Sequence, residues 1–225
     1  DGIQSENILQ VTGGVLNIES GVGSANAIMK ISDTATSTQG SVGPANQSTE
    51  TDTTTTETSS AKGLKAGTYL YITDGTLNID SSDDTINAKE TCIIDGGKIQ
   101  LSSGDDGIHA DSNLIIFDGD ITISKSYEGL DSEKITINGG TIDVTANDDG
   151  LSASGESDST TNENALISIN GGKLLVDASG DGIDSNGSIN VTGGYTIVNG
   201  PISGRDGALD YGVDATISGG TVIAI

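Results

Sequence analysis

A turn glycine returns along this chain about every 22 residues, and no other feature restricts the possible folds as strongly. Aligned on the second residue of each Gly-Gly or Asp-Gly pair, the positions are Gly14, Gly75, Gly97, Gly119, Gly140, Gly172, Gly194 and Gly220. The gaps between them are 61, 22, 22, 21, 32, 22 and 26 residues. A fixed period of this length, broken only by insertions, marks a solenoid.

The columns around the glycine say which kind. Two residues past it stand Leu16, Leu77, Ile99, Ile121, Ile142, Leu174, Thr196 and Val222, and four past it Ile18, Ile79, Leu101, Ile123, Val144, Val176, Val198 and Ala224. Three before it stand Val11, Ile72, Ile94, Ile116, Ile137, Ile169, Val191 and Ile217, and five before it Leu9, Leu70, Cys92, Leu114, Ile135, Ile167, Ile189 and Ala215. Each pair of columns is two residues apart, which is strand alternation and not helix spacing. A third inward point follows an acidic turn, at Ile3, Leu64, Ile86, Ile108, Leu130, Leu151 and Ile183. Three short strands per coil, each stacked on its equivalent, make an all-β, right-handed parallel β-helix. Without the insertions the chain holds about eight coils of ~22 residues, a rod about 38 Å long at ~4.8 Å per coil. Residues 1–225 read as one β-helix domain carrying a Ser/Thr-rich insertion at 33–59, whose composition suits a loop. Tyr71, Ile93, Ile115 and Phe117 point outward before the Gly pair and are expected to want a cover, which the insertion would supply. Cys92 sits in an aliphatic column and reads as a buried, inert hydrophobe.

Formal net charge is −24, from 33 acidic and nine basic residues. That balance argues against nucleic acid or anionic lipid and for cations or cationic surfaces. A single cysteine forbids an internal disulfide, and no apolar run is long enough for a transmembrane helix. The opening "DGIQSENILQ" reads as mid-phrase in a longer protein, in which a signal or anchor would lie upstream.

The acids are not scattered. Immediately before the turn glycine stand Asp84, Asp106, Glu128, Asp149, Asp181 and, after a small insertion, Asp206; one place earlier stand Asp83, Asp105 and Asp148. Just past the inward aliphatic come Asn87, His109, Asp131, Ser152 and Asp184. Stacked coils would set these carboxylates in ladders, where two like charges 4.8 Å apart cost roughly 0.9 kcal/mol in water and about 3.5 kcal/mol at an effective dielectric of 20. Lys62 replaces the acid in one coil only, so a hard cation is the expected neutraliser. Ca²⁺ takes six to eight oxygens in irregular geometry, which these turns would supply, with Asp83, Asp84, Asp105, Asp106, Glu128, Asp131, Asp148, Asp149, Asp181, Asp184 and Asp206 as candidate ligands. One histidine and one buried cysteine make zinc a poor fit. The competing reading is that Asp-Gly simply turns well, with each Asp bonding local amides.

The phrases "IIDGGKIQLSSGDDGIHAD" (93–111) and "INGGTIDVTANDDGLSASGE" (137–156) resemble a bacterial family of carbohydrate-binding β-helix domains, and more distantly the polysaccharide-lyase-like β-helices that act on pectin. The resemblance covers nearly the whole chain outside the Ser/Thr insertion. It implies a secreted or bacterial cell-surface protein that binds plant cell-wall polysaccharide, cellulose and polygalacturonate included, with calcium held at the acidic positions before the turn glycines. Three function classes follow. A binding module needs only a face, and the strand after the Gly pair offers the outward residues Lys98, Gln100, Asp120, Asp143, Lys173 and Tyr195, although a plain solvated sheet would look the same. A calcium-dependent pectate-type lyase needs a base beside the uronate, for which Arg205 is the first candidate and Lys125 and Lys134 weaker ones, without any basic cluster. An adhesin stalk or spacer needs the fold alone. With no Trp there is no stacking platform for crystalline cellulose, and no Thr-x-Thr column repeats as an ice-binding face would require. The expected function is calcium-dependent binding of acidic pectic chains, without catalysis.

Overall fold

The computed structural model describes residues 1–27, 60–155, 161–201, 204 and 206–225. Its strands are all parallel to their neighbours and wind into a β-helix with three faces. The first face stacks the short strands after the acidic turn, in the register Ile3–Leu64–Ile86–Ile108–Leu130–Leu151–Ile183–Leu209. Leu209 is the eighth rung, which a four-residue-longer turn displaces from the sequence column. The second face, before the Gly pair, stacks Leu9 through Ala215 and Val11 through Ile217; the third, after it, stacks Leu16 through Val222 and Ile18 through Ala224. Each face has eight rungs among the described residues, and every aliphatic column read from the sequence holds its register. Interior rungs such as Leu70, Cys92, Ile99, Ile121, Ile142 and Ile167 are buried.

Two glycine columns make the winding possible. All eight aligned glycines adopt positive φ, from 74° to 132°, where an L side chain is strained. They turn the chain from the second face to the third, so that Tyr69–Ser81 and Thr91–Ser103 run as unbroken strands around the corner. The glycine after the acid serves a different need, close approach. A Cβ on Gly129 would lie 2.3 Å from the Gly150 carbonyl oxygen, and one on Gly107 2.6 Å from that of Gly129.

The insertion at 33–59 and Arg205 lie outside the described residues. The entrance to the insertion, residues 21–27, packs on the third face and not over the second. There the Ser24 amide donates to Asp80 at 2.7 Å, the Ser24 and Ser102 hydroxyls share a 2.7 Å bond, and the Lys125 ammonium donates to the Ser24 carbonyl. On the second face Tyr71, Ile93 and Ile115 stack in one column and are half-buried, while Phe117 is 48% exposed at the glycine corner.

Candidate functional site

The acid before each turn glycine does a job that the sequence could not display. At Asp84, Asp106, Asp149 and Asp181 the carboxylate reaches along the rod and accepts a backbone N–H one coil later. Asp84 Oδ1 accepts from Asp106 N at 3.2 Å, Asp106 Oδ1 from Glu128 N at 3.3 Å, and Asp149 Oδ1 from Asp181 N at 2.7 Å. Asp181 Oδ1 accepts from Gly207, so Gly207 fills the ladder position assigned to Asp206. Asp206 stands one residue earlier and is exposed. These bonds join coils, whereas the turn-only reading placed them within one coil.

Neutralisation differs sharply along the ladder. At the first coils Lys62 is no mere replacement for an acid. Its ammonium reaches the next coil and pairs with Asp83 at 2.9 Å and Asp84 at 2.5 Å. Burial alone would lower the Lys62 pKa, but Asp84 and Asp83 raise it overall. Burial would raise Asp83, yet the Lys62 hydrogen bond and charge bring it below its usual value. Asn87 completes this end, donating to Asp84 Oδ2 at 2.9 Å. Asp105 belongs to the same group, with one carboxylate oxygen within 4.8 Å of those of Asp83 and Asp84.

One coil further, His109 stands in the outward column of the first face between Asn87 and Asp131. Its Nδ1 lies 2.7 Å from Asp131 and 3.8 Å from Asp106, and its Nε2 3.0 Å from Asp111. Burial opposes the charged ring, but the hydrogen bond and charge of Asp131, helped by Asp84 and Asp106, raise its pKa to about 9. His109 is therefore a cation at neutral pH. Beside it lies a cavity of about 220 Å³ lined by Asp111, Asp131, Glu133 and Ser154.

Beyond His109 the ladder has no such partner. Among the described residues, no Lys, Arg or His pairs with Glu128, Asp148, Asp149, Asp181 or Asp184. Burial, with the charges of Asp131, Asp106, Asp149 and Asp148, pushes Glu128 up to about 10. Burial with Asp148 and Asp184 pushes Asp149 to about 8, and burial with Asp181 and Asp210 pushes Asp184 to about 7. Asp181 rises too, chiefly through burial, despite its bond from Gly207. Asp181, Asp184 and Asp210 each bring one oxygen to within 4.8 Å of the other two. Asp210 follows Leu209 in register with Asp184. It went unread for the same reason as Leu209, and its signal was the "ALD" that repeats the "GID" of the coil before.

The three acidic groups differ in how well they would suit a hard cation such as calcium. Asp83, Asp84 and Asp105 already hold an ammonium. Asp106 and Asp131 flank a protonated imidazole, a donor calcium does not favour. Asp181, Asp184 and Asp210 offer oxygens only, pair with no cation among the described residues, and fit a hard ion best.

The expected polysaccharide-facing residues form two columns on the third face. Lys98, Asp120, Lys173 and Tyr195 share one column with Thr141; Gln100 and Asp143 share the next with Thr122. All six are exposed. Only Gln100 of them lines the larger cavity, an open groove of about 490 Å³ whose other polar residues include Asn17, Glu19, Asn78, Asp80 and Ser102. Asn17 and Asn78 were missed because the chain's long insertion separates their coils, although they precede Gln100 in register.

No helix among the described residues is long and apolar enough to cross a membrane. Searches of curated proteins and of solved structures each returned no match. A family profile described as "Carbohydrate-binding domain-containing protein" matches twice in tandem, over residues 1–107 and 105–223. The two matched segments meet in an ordinary coil stack, with Ile86 on Ile108. Together they span nearly the whole chain, which therefore belongs to this carbohydrate-binding family.

Proposed function

We propose that the protein is a calcium-dependent binding module for cell-wall polysaccharide, acidic pectic chains among them, working outside the cell or at a bacterial cell surface. The observation that carries this reading is the carboxylate group at Asp181, Asp184 and Asp210, which pairs with no cation among the described residues, in a chain of a carbohydrate-binding family. A protein of charge −24 repels a polyuronate unless a divalent ion lies between them. Calcium bound at these three acids would supply that bridge.

The module acts by holding its ligand and not by cleaving it. Uronate elimination needs a neutral or anionic base. His109 is held protonated by Asp131, Lys62 is committed to Asp83 and Asp84, and Lys125 donates to Ser24. Arg205 and, after it, Lys134 are left as the residues to test. Retention of the protein on immobilised polygalacturonate should require calcium and fall at least tenfold in Asp184→Asn. Ultraviolet absorbance of the unsaturated elimination product should stay at background. Sustained product release that disappears in Arg205→Ala would replace this reading with a lyase.

A further inference from the structure

The acidic group around His109 is unlike the other two, because it brings a nitrogen ligand to two carboxylates. His109 is the only histidine of the chain, and it stands in the outward column of the first face between Asn87 and Asp131. The coil stack sets Asp131 Oδ2 at 2.7 Å and the preceding turn sets Asp106 Oδ2 at 3.8 Å from the same ring nitrogen, Nδ1. One ligand atom from each of Asp106, His109 and Asp131 lies within 4.8 Å of the other two. The surroundings orient the ligands. Asp111 takes the opposite ring nitrogen, Nε2, at 3.0 Å, so that Nδ1 is the atom directed at the two carboxylates. Asp106 is held by its other oxygen, Oδ1, which accepts the Glu128 amide at 3.3 Å. A carboxylate behind the far nitrogen is the usual support of a metal-bound imidazole.

We propose that Asp106, His109 and Asp131 form a site for a borderline divalent cation of the zinc class, separate from the oxygen-only group of Asp181, Asp184 and Asp210. Imidazole nitrogen suits such ions, whereas calcium takes oxygen throughout. Three protein ligands and one open position make the pattern of a zinc ion that keeps a water. In a tetrahedral shell with bonds of about 2.1 Å, neighbouring ligand atoms lie about 3.4 Å apart. The two spacings at Nδ1 bracket that value, so small side-chain adjustments admit the ion without moving the coils. The ion takes the place of the proton between Nδ1 and Asp131, and replaces one positive charge by two on a rod of charge −24. The cavity of about 220 Å³, lined by His109 and Asp131 as well as Glu133 and Ser154, gives it a way in. Composition pointed away from zinc because one histidine and a buried cysteine are too few ligands. The coil stack supplies the two oxygens that complete the set, and this site does not depend on calcium at the later coils.

The test is calorimetric titration of the full chain with zinc, in an excess of calcium so that carboxylates without a nitrogen partner do not compete. Nitrogen NMR follows the His109 ring in the same titration. The wild type should take up one zinc per chain. His109→Asn should weaken that uptake at least tenfold, whereas Asp184→Asn should leave it unchanged. Asparagine already occupies the same rung one coil earlier, at Asn87, so the variant carries a side chain that the stack accepts. With one histidine in the chain the ring signals are unambiguous: Nδ1 should shift on zinc addition while Nε2 keeps its proton. Zinc uptake that survives His109→Asn, or a ring signal that zinc leaves unmoved, overturns the site. Uptake lost equally in Asp184→Asn would put the ion at the later coils and overturn it too.

Discussion

At the residue scale, the acid before the turn glycine was visible as a pattern but not as a bond. Register from the sequence put Asp84, Asp106 and Asp149 in one column, and the structure shows each accepting an amide from the next coil. Lys62 was the residue misjudged, because a side chain reaching across coils leaves no trace in a column. With Asp84 at 5% side-chain exposure, replacing Lys62 by Met leaves a nearly buried carboxylate unpaired. We expect a loss of about 2–4 kcal/mol in denaturant unfolding, and calcium should recover part of it, since the emptied position becomes an oxygen-only group. No recovery would mean that this group cannot take an ion.

The titrating groups give a second expectation at the same scale. Glu128, Asp149 and Asp184 have folded pKa values raised to about 10, 8 and 7. Between the ordinary carboxyl value and these values, the folded state binds more protons than the unfolded one, so stability falls as pH rises. His109, raised to about 9, acts in the same direction: its contribution is complete below its ordinary value and is lost as pH rises through about 9. Calcium-free protein should therefore melt lower at a pH of about 8.5 than at about 5. Saturating calcium should flatten that slope, because a bound ion keeps the acids ionised. An identical slope with calcium and with chelator would contradict the account.

At the scale of the element, nearly all of the coil was legible, because inward aliphatics two residues apart report strand, corner and register together. What escaped lies after the turn that ends the seventh coil, where additional residues shifted Leu209 and Asp210 out of frame and put Asp206 where Gly207 belongs. The second glycine column also has a structural reason that composition hides. Gly129→Ala places a methyl against the Gly150 carbonyl and should cost about 1–3 kcal/mol, although its neighbours are only a turn. Ile121→Ala, in the middle of the rod, should cost about 2–5 kcal/mol. The equivalent change at Ile217, 54% exposed on the last coil, should move stability by less than about 0.5 kcal/mol. Equal losses at both sites would argue that the terminal coil is covered in solution. The insertion is clamped at its base, where Ser20 Oγ donates to the Ala61 carbonyl at 2.6 Å and to that of Lys62 at 2.9 Å. Deleting residues 33–59 spares that clamp and should leave the melting transition cooperative, with a rise in hydrophobic-dye binding if Tyr71, Ile93 and Phe117 lose a cover.

At the scale of the molecule, a rod of charge −24 has spread its cations unevenly among the described residues, with Lys62 and His109 paired at one part of the acidic edge and no described cation paired beyond. Composition announced the charge, but only the three-dimensional stack shows which carboxylates pair with a described cation and which do not. That unevenness is the central claim: the later coils need an ion that the earlier ones do not. It is tested most directly by scanning calorimetry of the wild type and of Asp184→Asn across a calcium series at low ionic strength. A ligand that binds only the native state stabilises it by about 2.7 kcal/mol at one hundred times its Kd. The wild type should show a Tm that climbs steadily with calcium, and Asp184→Asn should start higher in chelator and climb far less. A Tm indifferent to calcium in the wild type, or a climb that Asp184→Asn leaves intact, would contradict the account.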